Sequence, residues 1–198
     1  MKKNKNSELY NLKVQTKNKE KKYKNKADIK WIITIIIISF SISIAFSFIS
    51  ETLFPKVALI LEIIFLLVFI GIGIIFDMIG VSVTSSSLEP FNSMAARKVK
   101  GSKIAVKFKK NADKVSSFCC DVIGDVCGVV SGSASVIIAT SLASKLNINQ
   151  FIVVLIVTAC VSALTIGGKA IGKSYAINKS NIILYRVAKF VSNFYHEK

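Results

Sequence analysis

Four long apolar runs divide the chain, at residues 31–50, 57–84, 116–143 and 151–171. A helix rising 1.5 Å per residue needs about 20 such residues to cross a hydrocarbon layer of about 30 Å, so each run predicts a membrane-spanning helix. The first run is too long for the apolar stretch of a signal peptide and lacks a small-x-small cleavage site, which predicts an anchor that is retained. The second exceeds one crossing and holds Gly71, Gly73 and Gly80 beside Glu62 and Asp77. Glycine weakens a helix and lets backbones approach, so this helix is expected to tilt or to break in a kink or π-bulge near its inner end.

The stretches between the runs have a different pattern. Residues 1–30 are rich in Lys and Asn with almost no apolar positions, and predict a disordered cytoplasmic tail. Residues 85–115 are polar and basic; Lys100, Lys103, Lys107 and Lys110 recur on one helical face, predicting a juxtamembrane helix over about 92–112. That helix lies either near anionic headgroups or in solvent. Beyond a membrane domain over 31–175, residues 176–198 predict a cytoplasmic amphipathic helix. Ile183, Val187, Phe190, Val191 and Phe194 share one face, set on the inner membrane surface or against the juxtamembrane helix. The expected fold is therefore all-α: a polytopic membrane protein of about four transmembrane helices, with a basic juxtamembrane helix and a C-terminal amphipathic helix.

Charge sets the orientation. Of 27 basic residues, 11 fall in the first 30 positions, 8 at 97–114 and 6 from Lys169 onward, whereas the two opposite loops hold only Lys56 and Lys145. The positive-inside rule then puts both termini on the cytoplasmic side of the cell membrane. A net charge of +16 raises the question of nucleic acid, but the basic blocks flank apolar runs and carry few aromatics for stacking bases. Anionic lipid headgroups are the expected partner. Cys119, Cys120, Cys127 and Cys160 lie in apolar segments without CxxC spacing, which excludes a disulfide framework and a zinc site and reads as core packing.

Ionisable residues within a span cost roughly 2.5–3.5 kcal/mol each near the bilayer centre, so each demands a reason. At 100° per residue, Asp121, Gly124, Asp125, Gly128, Gly132 and Ser135 fall on one face of the third run. The glycines form overlapping GxxxG units suited to close helix packing; two aspartates on the same face point beyond packing to a polar site. Asp77 lies about 12 Å from the inner end of its run, and Asp121 and Asp125 about 10 and 16 Å from theirs, so all three are expected to meet in one cavity. Ser82, Thr84, Ser85 and Ser86 follow Asp77 where the second helix is expected to loosen. Carboxylates, hydroxyls and freed carbonyls make the oxygen shell that hard cations prefer, Mg²⁺ first and Na⁺ as the alternative. Glu62 either lines an exit path or sits in the headgroups. The one histidine, His196, reads as a surface residue, and no nucleophile–base pair or phosphate loop appears, so catalysis is not expected.

The stretch NADKVSSFCCDVIGDVCG, residues 111–128, resembles the transmembrane domain of the cyclin M / CorB and CorC magnesium transporters. Asn111, Asp113, Lys114 and Ser117 match that family's Asn-x-Asp-(Arg/Lys)-x-x-Ser lead-in, and Val122-Ile123-Gly124-Asp125 stands where its Gly-Asn pair would be. The resemblance implies a homodimer, or a dimer with a longer relative, whose protomers each hold Mg²⁺ and export it in exchange for Na⁺. It places Gly124 and Asp125 at the ion, with residues 82–86 facing them. GVSVTSSSLEP replaces the family's Ser-Glu-Thr-Ala turn, and Asp125 replaces the usual asparagine. Residues 31–50 add a helix, and no nucleotide-binding CBS pair follows, so regulation by Mg-ATP is not expected. The leading expectation is a divalent-cation transporter or transport core with its ion between the second and third spans. The other is a non-transporting membrane protein that binds helices through its GxxxG face.

Overall fold

The computed structural model describes residues 29–53 and 58–194, without the side chains of residues 50, 51 and 53. Most of the expected N-terminal tail, the linker positions Pro55 and Lys56, and His196 lie outside the described residues. All regular structure among the described residues is helical. Four helical runs are long and apolar enough to cross a membrane.

The first, α1 (Ile29–Leu53), is Ile-rich and carries no charged residue between Lys30 and Glu51. Its polar positions there are hydroxyls, with Ser39, Ser43 and Ser47 on one side, which suits a helix whose solvent is lipid. Two compact units divide within it, after Ile38. In the second unit, Phe46 meets Phe69 of α2 (Leu59–Ser85) edge-to-face, with ring centroids 5.6 Å apart.

The rest of the second unit is a three-helix bundle with a helical cap. The cap helices α3 (Glu89–Ala96) and α4 (Ser102–Lys110) are separated by Gly101 at φ +82°, a left-handed conformation that glycine adopts without steric cost. The expected juxtamembrane helix is thus two short helices. Helix α5 (Ala112–Ser117) runs into a π-helical segment, Phe118–Gly124, and on into α6 (Asp125–Leu146). After a turn at Asn147, α7 (Gln150–Asn178) returns, its first turn capped by Asn149, whose Oδ1 accepts from the Phe151 amide at 3.0 Å. Finally α8 (Ser180–Phe194) packs on α4 and on the end of α2.

α2, α6 and α7 pack against one another. The buried face of α6 is built from small residues, Ser131, Ala134, Ser135, Ala139 and Ala143, which lets its neighbours approach closely. Its two buried hydroxyls are satisfied locally: Ser131 Oγ donates to Cys127 O at 2.7 Å and Ser135 Oγ to Gly132 O at 2.6 Å. Leu66 and Ile70 of α2 join Ala134 and Ile138 of α6 in one apolar cluster. A second cluster joins Val83 at the end of α2 to Phe91, Ile104, Ala105, Leu184 and Ala188, and ties the cap to the bundle. The C-terminal amphipathic helix packs against the juxtamembrane segment, but through Leu184 and Ala188; Phe190 and Phe194 of the expected apolar face are exposed.

The break expected in the second span is absent: α2 is continuous from Leu59 to Ser85. Its glycines serve close approach. A Cβ on Gly73 would lie 3.1 Å from Cys127 Cβ, and one on Gly80 would meet Cys120 Sγ and come within 3.1 Å of Ser116 O. The irregular turn is on the other side of that contact, in residues 118–124.

Candidate functional site

The buried residues of α2 form one seam, Glu62, Leu66, Ile70, Gly73, Asp77 and Gly80, at the three- and four-residue spacing of a single helix face. The π segment lies across the inner part of this seam. Such segments arise where a helix takes up an extra residue, and they concentrate at functional sites. Here the irregular turn puts Cys120 against α2, its thiol directed at the Asp77 carbonyl at 3.6 Å.

Two lysines of α7, one turn apart, complete the layer. Lys169 Nζ donates to Gly124 O and to Asp125 Oδ1, each at 3.2 Å. Lys173 Nζ lies 3.5 Å from Asp77 Oδ2. α7 comes this close to α2 through its own glycines: a Cβ on Gly168 would meet Ile74 Cδ1, and one on Gly172 would lie 2.8 Å from Met78 Cγ. By contrast, Gly128 and Gly132, the expected packing glycines of α6, face open space.

The two carboxylates sit in opposite surroundings. The Asp77 side chain is 5% exposed and that of Asp125 is 68% exposed. Asp77 Oδ2 has no hydrogen-bond partner, so its link to Lys173 is an attraction between charges across 3.5 Å without a directed bond. Asp121 is exposed as well.

Helix lengths place this layer. Asp77 lies 18 residues beyond Leu59, Asp125 lies 21 before Leu146 and Lys169 lies 19 beyond Gln150. At 1.5 Å per residue these are about 27, 32 and 28 Å, close to one hydrocarbon thickness. The charged layer therefore stands at one mouth of the bundle, on the side of the cap.

The single cavity expected for Asp77, Asp121, Asp125 and the serine turn is not what forms. Asp77 and Asp125 are brought near one another through the paired lysines, but Asp121 and Asp125 turn to the outside of the bundle while Gly124 and Ser135 turn in. A uniform 100° per residue put all of these on one face. The observed exposure keeps to that arc: Gly124 and Ser135 lie at its edge, against the bundle, while the rest of it, with Asp121, Asp125 and Gly132, looks outward. Ser82 and Ser86 are buried, and their hydroxyls donate to Ile79 O at 2.7 Å and Val83 O at 3.1 Å. Thr84 Oγ1 donates to Val81 O at 2.9 Å, and Ser85 is exposed. The freed carbonyls at the end of α2 accept from an ammonium: Lys109 Nζ reaches Val83 O at 3.0 Å and Thr84 O at 2.8 Å. Asn181 Oδ1 accepts the Ser87 amide at 3.0 Å. The serine turn is thus a helix end capped from α4 and α8.

Among the described residues, no three His, Cys, Asp or Glu side chains are grouped to hold a metal. The residues that sequence reasoning missed are the lysines. Lys169 and Lys173 had a signal: they stand four apart beside Gly168 and Gly172 at the end of a long apolar run, yet were read as part of the C-terminal basic block. In comparisons with protein-family models, curated proteins and solved structures, nothing matches this chain.

Proposed function

We propose that this protein is a hard-cation transporter, or the transport core of one, with Asp77 as its central ligand at the inner mouth of the bundle. The observation that carries the reading is the Asp77 carboxylate, buried at the junction of α2, the π segment and α7 with one oxygen unpartnered. A membrane-embedded carboxylate with an oxygen left unpartnered is stabilised further by a cation, and keeping it without one is costly. Lys173 acts as a built-in counter-ion: its half-exposed side chain leaves Asp77 when a cation arrives and returns when it departs. Gly124 O and the Asp77 carbonyl supply further oxygens once Lys169 and Cys120 give way. Mg²⁺ is the proposed cargo and Na⁺ the coupled ion, in line with the motif resemblance over residues 111–128. The chain works as a homodimer or with a longer relative, its termini in the cytoplasm of a cell whose anionic inner leaflet holds the basic cap.

The second reading, a non-transporting protein that binds other membrane helices, is favoured by the open face at Gly128 and Gly132. Calorimetric titration of the purified full chain with Mg²⁺ separates the two. Transport requires saturable heat in the wild type that is lost in Asp77→Asn. A wild type that shows no saturable binding of Mg²⁺ or Na⁺ leaves only the interaction reading.

A further inference from the structure

Among the described residues, two buried side-chain atoms lack a hydrogen-bond partner, and both are carboxylate oxygens on the buried seam of α2. One belongs to Asp77. The other is Glu62 Oε2, at the opposite end of the seam, in a side chain only 3% exposed. The two residues are 15 positions apart, which is about 22 Å along the helix and within about 60° of the same face. Leu66 and Ile70 stand between them and pack on Ala134 and Ile138. The seam is therefore apolar through its middle and acidic at each end. The Glu62 side chain is enclosed within the protein.

Glu62 lies in the first turn of α2, where unpaired amides create a field that favours negative charge. None of those amides bonds to Oε2. Unlike Asp77, Glu62 has no ammonium beside it in a salt bridge among the described residues. A buried carboxylate carries one negative charge and is neutralised by one positive charge, and among the described residues Glu62 has no backbone carbonyls freed beside it of the kind Gly124 O and the Asp77 carbonyl offer at the other end.

We propose that Glu62 is a second cation site, at the end of the bundle remote from the cap, and that it takes a monovalent cation. This does not require Asp77 to bind a metal, so the two readings stand or fall separately. The source of the charge is Na⁺ or a proton, and one experiment distinguishes them. The full chain in nanodiscs is treated with a lipid-soluble carbodiimide, and modification of Glu62 is measured by peptide mass spectrometry against Glu89, an exposed carboxylate of the cap. The expected result is selective modification of Glu62, slowed at least tenfold by Na⁺ but not by choline if Na⁺ is the ligand. If the ligand is a proton, modification is insensitive to Na⁺ and persists at a pH at which Glu89 no longer reacts. Glu62→Gln, of the same shape, should remain folded, lose the modification and leave the Mg²⁺ titration at Asp77 unchanged. Failure of Glu62 to react, or reaction indifferent to Na⁺ with the same pH dependence as Glu89, overturns the proposal.

Discussion

Removing the ammonium of Lys173 tests the central contact most directly. Two unit charges at the observed 3.5 Å attract by about 5 kcal/mol at an effective dielectric of about 20. Much of this is not realised. Lys173 is half-exposed, so solvent and headgroups screen it, and Oδ2 forms no directed hydrogen bond. A net coupling of about 1–2 kcal/mol remains, which is roughly tenfold in an equilibrium constant. The assay is a double-mutant cycle of Lys173→Met and Asp77→Asn, read by reversible unfolding in lipid nanodiscs. Lys173→Met alone should cost the most, because it strands a buried carboxylate, and the double variant should recover most of that loss. The same substitution removes the competitor for Asp77, so Mg²⁺ affinity should rise about tenfold in Lys173→Met. A coupling below about 0.3 kcal/mol, within the scatter of independent sites, together with unchanged or weaker Mg²⁺ binding, would refute the counter-ion argument.

Two further substitutions test how the cap is held. Lys109→Met removes two charge-assisted hydrogen bonds from the last carbonyls of α2 and should cost about 1–2 kcal/mol, seen as faster amide exchange over residues 82–88; unchanged exchange would mean the ammonium does not cap the helix. Gly101→Ala places a Cβ 2.8 Å from Lys189 Cα at a left-handed φ and should lose more than about 2 kcal/mol, whereas Gly128→Ala, which meets only open space, should stay within about 0.5 kcal/mol; equal losses in a thermal melt would contradict these placements.

The long apolar runs were legible because length and hydropathy are properties of the chain by itself: about 20 uncharged residues allow few structures other than a spanning helix. The exposed lysine face was legible for a similar reason in Lys103, Lys107 and Lys110 of α4, whereas Lys100 is exposed in the turn between the two cap helices. The site was legible only in part. Asp77 stood out as a charge inside an apolar run, and it is buried. Asp121 and Asp125 stood out equally and do share a face, but that face is exposed, because helical period sets which residues lie together and not which side the neighbouring helices cover.

What the sequence determined by itself is the material of the protein: four helices suited to lipid, a basic cap and acidic residues too costly to be incidental. Partnership was decided only in three dimensions. Lys173 meets Asp77 across 96 positions of sequence, and Lys109 reaches the end of α2 from a separate helix. Glycines of α2 and α7 admit the close contacts; of the expected packing motif Gly124 joins them, facing Gly73, while Gly128 and Gly132 stay open. Hydropathy and helical period are summed locally along the chain, whereas the neutralisation of a charge depends on which distant helix packs against it, and that choice belongs to the fold as a whole.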